Sequence, residues 1–167
     1  MEIDESIIGR RKYNRGRIVR GKWLLGGIER GSNECFLAEC ENNHRDRHVL
    51  IPLIKRYVRP GTLIITDGWK AYLSFSNHGF IHEDVNHSRN FVDPTTGAHT
   101  NTIEGCWFHV KRYLQRGVGW LRTDADALAL NLGEFMRKRR YGLTSSDEDC
   151  KRFYCQEVPR LIKRVFS

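Results

Sequence analysis

Leu63-Ile64-Ile65-Thr66, framed by Pro60-Gly61 before it and Asp67-Gly68 after it, is a continuous apolar run of the kind that forms a buried central strand. Such a strand is covered on both faces, so the chain must supply helices to either side of a sheet. The surrounding periodicity supplies them. Residues 1–8, Trp23–Glu29 and Cys35–Glu39 read as three strands, the last two joined as a hairpin through Gly31-Ser32-Asn33. The pattern then changes period. Val49/Leu50, Leu53/Ile54 and Tyr57/Val58 recur at helical spacing, with Pro52 kinking that helix or lying near its true start.

After the central run come a short helix around Ala71–Ser76, a weaker strand near His82–Asn86 and a loop at Asp93–Ala98. Two helices close the pattern. One spans about Thr102–Gln115 with Ile103, Trp107, Val110 and Leu114 inward. The other spans about Asp124–Arg140 with Leu128, Leu132, Phe135 and Met136 on one stripe. The order β-β-β-α-β-α-β-α-α predicts an α/β chain with a ribonuclease-H-like, mixed five-stranded sheet flanked by helices. Residues 1–140 are expected to form one domain. Residues 141–167 form a C-terminal tail whose amphipathic segment Phe153–Phe166 is interrupted by Pro159.

Three carboxylates stand where a metal-dependent phosphoryl-transfer enzyme needs them: Asp4 in the first strand, Asp67 at the end of the apolar run, and Glu104 at the opening of a helix. Carboxylates on separate rigid elements can converge on two divalent cations, which clamp the attacking and leaving oxygens of a phosphodiester. Each residue also has an ordinary explanation. Asp67-Gly68 is a sterically sensible turn. Glu2 and Glu5 compete with Asp4. Asn101 as N-cap with Glu104 three residues later is a routine capping arrangement. Lys111, nearly two turns after Glu104, projects from the same helix face.

A formal net charge of +8 favours a polyanionic partner. The basic cluster Arg10, Arg11, Lys12, Arg15 and Arg17 surrounds a turn signal at Asn14–Gly16. The five cysteines are scattered and odd in number, which fits reduced thiols in an intracellular protein. His44/His48 and His78/His82 have metal-compatible spacing, but no neighbouring residues complete a zinc site. No apolar stretch approaches the roughly 18 residues of a membrane span, and no membrane partner is expected.

Several unrelated motifs occur in order: Glu2-Ile3-Asp4-Glu5-Ser6, the Arg/Lys-rich turn with Trp23, Thr66-Asp67-Gly68-Trp69-Lys70-Ala71-Tyr72, Val85-Asn86-His87-Ser88, Phe91-Val92-Asp93, and Gly97-Ala98-His99-Thr100-Asn101-Thr102-Ile103-Glu104. Together, over about residues 1–140, they resemble the catalytic domain of insertion-sequence transposases related to the Merlin group. The resemblance implies a ribonuclease-H-like fold of the DDE transposase and integrase superfamily. Carried over by motif, the catalytic and metal-binding triad is Asp4, Asp67 and Glu104, with Asn101 in reserve for the third place. Thirty-six residues separate Asp67 from Glu104, which suits that superfamily.

The implied cofactors are two Mg²⁺ or Mn²⁺ ions, and the implied reaction is DNA cleavage and strand transfer. DNA is the implied partner, with a homo-oligomer assembling on it, in the nucleus of a eukaryote or the cytoplasm or nucleoid of a bacterium. Arg10, Arg11, Lys12, Arg15, Arg17, Lys70, Lys111 and Arg112 are the expected phosphate-binding residues. Family members normally carry an N-terminal zinc-binding and helix-turn-helix region, whereas this chain begins three residues before Asp4. The expectation is therefore a catalytic domain without its DNA-recognition region. The alternative is a domesticated or truncated non-catalytic DNA-binding or interaction module.

Overall fold

The computed structural model describes residues 1–9, 21–67, 72, 75–85, 99–117 and 125–142. Five strands, β1 (Glu2–Ile8), β2 (Lys22–Ile28), β3 (Cys35–Glu39), β4 (Leu63–Asp67) and β5 (Ile81–Val85), form one sheet in the order β3-β2-β1-β4-β5. β1, β2 and β3 pair antiparallel, while β4 runs parallel to both β1 and β5. With helices α1 (Arg47–Tyr57), α2 (Asn101–Gly117) and α3 (Ala125–Arg140), this is the mixed sheet of a ribonuclease-H-like α/β fold.

Strand alternation divides the core in two. Ile8, Leu24, Ile28 and Leu37 face α2 and α3, where they meet Ile103, Trp107, Val110, Leu114, Leu128, Leu132 and Phe135. Ile3, Leu25, Phe36 and Ile64 face the other way, onto Leu50, Ile54 and Val58 of α1 and onto Tyr72, Phe75 and Phe80. The α2 stripe read from helical periodicity is buried, as are Leu128, Leu132 and Phe135 of α3, with Met136 partly covered. On α1, Leu50, Ile54 and Val58 are buried, whereas Tyr57 is exposed.

Local chemistry sets several boundaries. Asp46 caps α1 by accepting from the backbone N–H groups of His48 and Val49. Pro52 lies inside this helix rather than near its start. It has no N–H to give the carbonyl of His48, and its exposed position leaves that carbonyl to water. The β2–β3 hairpin turns at Gly31, whose φ of 76° is a left-handed conformation that strains other L-residues. The weak fifth strand lies at Ile81–Val85, one residue earlier than expected.

Around the expected short helix at Ala71–Ser76, only Tyr72, Phe75 and Ser76 are described; a single 3-10 turn occupies Phe75–His78. The 93–98 loop and the 144–167 tail lie outside the described residues, as do Cys150 and Cys155. Cys35, Cys40 and Cys106 are free thiols. Among the described residues no helix is long and apolar enough to cross a membrane.

Candidate active site

The pairing Glu2↔Ile65 fixes the register of the parallel strands β1 and β4. Two residues further along each strand, Asp4 stands level with Asp67, and neighbouring strands lie about 4.8 Å apart. Alternation places Ile3, Ile64 and Thr66 toward α1, and turns Asp4 and Asp67 together toward α2. Asp67 is the last residue of β4. Its Oδ1 is buried without a hydrogen-bond partner.

α2 crosses this face. The indole Nε1 of Trp107 donates to Asp4 Oδ2 at 3.0 Å. The approach depends on Gly26, the β2 residue paired with Asp4: a Cβ at position 26 would lie 2.7 Å from the Trp107 ring. Burial pushes the Asp4 carboxyl up to about 6, against a backbone hydrogen bond at Glu5 and the Trp107 indole. The negative charges of Asp67 and Glu104 contribute to that rise. Asp4 and Asp67 thus share one sheet face, and the charge of Glu104, on the helix that crosses it, also reaches Asp4.

Glu5 is turned to the other face of β1. Burial first, then the charges of Asp4 and Asp67, push its carboxyl up to about 8, and Arg45 opposes them. The Arg45 guanidinium is itself stacked 4.2 Å from the centre of the Trp23 ring.

Glu2 has a different task. It is fully buried and shares the face of Asp4. Its Oε2 accepts from the backbone N–H of Ile103 at 2.9 Å. Its Oε1 accepts from Thr102 Oγ1 at 2.8 Å and from Arg30 Nε at 2.7 Å. Arg30 also donates to the carbonyl of His99. The His99 ring comes within 3.3 Å of Glu2 with no hydrogen bond between them. Glu2 thus ties β1 to the N-terminus of α2, where free N–H groups and the helix dipole favour an anion.

This corrects the capping expected at Asn101. Asn101 is already the first helical residue, and Thr100 is the cap: its carbonyl accepts from Glu104 N and its hydroxyl donates to Glu104 Oε1 at 3.3 Å. The helix starts one residue early because Glu2, from another element, satisfies the Ile103 amide that a local cap would otherwise serve. Asn101, the reserve candidate, is exposed at this first position. Glu104 is exposed one turn before Trp107, Lys111 is half-buried and Arg112 exposed. Arg10, Arg11, Lys12, Arg15, Arg17 and Lys70 lie outside the described residues.

Carboxylate and water oxygens suit Mg²⁺ or Mn²⁺. The orphaned buried oxygen of Asp67 is an acceptor that such a cation could engage. Among the described residues, however, no group of three or more His, Cys, Asp or Glu side chains is gathered closely enough to hold an ion.

Sequence reading missed Glu2 as an anchor and Trp107 as a hydrogen-bond donor. The spacing Glu2-x-Asp4 puts both on one strand face, a signal present in the sequence. Trp107 also fits the apolar stripe of α2 by spacing, although an indole buried there needs an acceptor.

The model of the ISXO2-like transposase domain, a DDE transposase family, matches residues 1–118. The chain belongs to this family. The match spans β1 through α2 and so includes Asp4, Asp67 and Glu104. The motif-based resemblance to insertion-sequence transposases is thereby borne out. A transposase-like protein of Haemophilus influenzae is 33% identical over 67 residues, which cover 40% of this chain and 53% of that relative. The chain thus spans about half the length of the curated relative it matches.

Proposed function

We propose that this transposase domain cleaves and joins DNA strands, using Asp4, Asp67 and Glu104 to hold two divalent cations. One observation carries the reading: Asp4 and Asp67 stand level on adjacent parallel strands, on the face crossed by the helix that bears Glu104. Mg²⁺ or Mn²⁺ bound there would supply Lewis acidity at a scissile phosphate.

The chain's own residues set the geometry. Asp4, beside Asp67 on the neighbouring strand and held by the Trp107 indole, would be one of the residues holding the ions. Asp67 offers its unpartnered Oδ1. Glu104 is brought to the site by α2, whose first turn Glu2 anchors. Lys111, Arg112 and the basic 10–17 segment hold phosphates without reading sequence. Water would attack the phosphodiester and displace its 3′-oxygen, leaving a 3′-hydroxyl at the element's end and a 5′-phosphate on the flanking strand. That hydroxyl would then attack a target phosphodiester and displace the target's own 3′-oxygen.

The experiment is strand transfer from a pre-cut duplex end into plasmid with Mn²⁺. Wild type should join the strands and Asp67→Asn should not, while the variant's melting temperature in EDTA stays equal or rises slightly because a like-charge contact is relieved. A variant that unfolds would make Asp67 structural.

A second reading, a DNA-binding module that kept the fold and lost the reaction, is favoured by the spread of the carboxylates among the described residues. Wild type that binds DNA yet is neither stabilised by Mn²⁺ nor active in strand transfer would establish it.

A further inference from the structure

The solvent face of α2 carries Glu104, Gly105, Phe108, His109, Arg112 and Gln115. Two of these are costly as ordinary helix surface. Gly105 destabilises an exposed helix interior by about 1 kcal/mol relative to Ala. No packing within the chain requires it, because a Cβ built there meets nothing within 4 Å. A glycine without an internal reason suits a position where another molecule approaches the backbone. Phe108 leaves 61% of its surface in water. The His109 ring packs against it at near right angles, with centroids 5.5 Å apart.

We propose that this strip binds the unpaired nucleotides of a DNA strand beside the scissile phosphate, with Phe108 stacking on a base and Arg112 holding a phosphate. The proposal rests on the reading of Asp4, Asp67 and Glu104 as the phosphodiester site. Spacing supports it. Phe108 is one helical turn from Glu104 and Arg112 one turn further, with about 6 Å between successive Cβ atoms. A strand leaving the carboxylates along α2 therefore passes an aromatic ring and then a cation, with the bare backbone of Gly105 beside that path.

The composition of the face selects the occupant. An apolar protein partner calls for a patch of clustered apolar side chains at its centre. Here one aromatic ring stands among a glycine, polar groups and an arginine, on a chain of net charge +8. A lone ring beside a cation is the arrangement that binds single strands through base stacking and phosphate contact. Gly105 fits the same occupant, since a side chain there would stand beside Phe108, one turn before it, and narrow the room next to the ring.

The test compares a blunt duplex with the same duplex carrying a short 3′ single-stranded overhang, by fluorescence anisotropy in EDTA. Wild type should prefer the overhang. Phe108→Ala should lower affinity for the overhang roughly 5- to 150-fold, the equivalent of one base stack, and leave the blunt duplex unchanged. Phe108→Tyr should behave as wild type and Phe108→Leu as Ala, because leucine keeps the apolar bulk and loses the π face. A 2-aminopurine in the overhang should be quenched by wild type and not by Phe108→Ala.

Equal losses on both DNAs, a fully active Leu variant, or a Phe108→Ala chain altered only in its oligomeric state would overturn the proposal. The last result would make the strip a protein interface. The two readings fail separately. A Phe108-dependent overhang preference without strand transfer removes the active-site reading, whereas strand transfer with no effect of Phe108→Ala removes the strip.

Discussion

Replacing Glu2 with Ala removes a fully buried carboxylate and, with it, acceptors for the Ile103 amide, the Thr102 hydroxyl and the Arg30 guanidinium. Stripping one partner from a buried, hydrogen-bonded ion pair costs about 3–5 kcal/mol. Arg30 is about one-third exposed and recovers some hydration, which places the loss at the lower end. The orphaned Ile103 N–H costs about 1–3 kcal/mol by itself, but it belongs to the same network and does not add in full. A net loss of about 3 kcal/mol follows. For a chain of this size that lowers the melting temperature by about 6–12 °C.

Glu2→Gln keeps the shape and one acceptor oxygen, so its loss should be smaller. Urea unfolding of both variants gives the free energies directly. Amide exchange at Ile103 and Glu104 should speed up selectively in Glu2→Ala, because the first turn of α2 loses its anchor. A Glu2→Ala protein within about 0.5 kcal/mol of wild type, the range of an ordinary surface change, would refute the claim that this carboxylate fixes α2.

Further outcomes follow from other contacts. Gly26→Ala drives a methyl into the rigid Trp107 ring; it should cost about 1–3 kcal/mol and slow strand transfer beyond the stability loss, as Trp107 leaves Asp4. In metal-free buffer the raised carboxyls of Glu5 and Asp4 keep protons in the folded chain that the unfolded chain has already released. Their contribution is full at pH values below about 4 and fades as pH rises, through about 6 for Asp4 and about 8 for Glu5; Glu5→Gln should flatten the upper part of that decline in a series of melting curves. Replacing Arg10, Arg11, Lys12 and Arg15 with Ala should reduce the salt dependence of duplex binding, since each lost phosphate contact lowers the slope by about one.

The legible parts of this molecule are those whose cause is local. β4 announces itself as an unbroken apolar run, and the stripe Ile103–Trp107–Val110–Leu114 follows helical spacing because one face of α2 is buried. The start of α2 was misread by one residue because its cap comes partly from Glu2, 101 positions away. The levelness of Asp4 with Asp67 is likewise a matter of register between strands distant in sequence, which no local pattern encodes. Gly26 reads as an unremarkable strand glycine until Trp107 is seen lying across it.

The most direct test of the central claim is a Mn²⁺ titration followed by electron paramagnetic resonance, in which bound ions lose the signal of the free aquo ion. Wild type should bind up to about two Mn²⁺ per chain, as two-metal chemistry requires. Asp4→Asn and Asp67→Asn should each abolish this binding or weaken it sharply while remaining folded. A wild-type chain that leaves the free Mn²⁺ signal unchanged, or folded variants that bind as wild type does, would contradict the assignment of these carboxylates as the metal-dependent site.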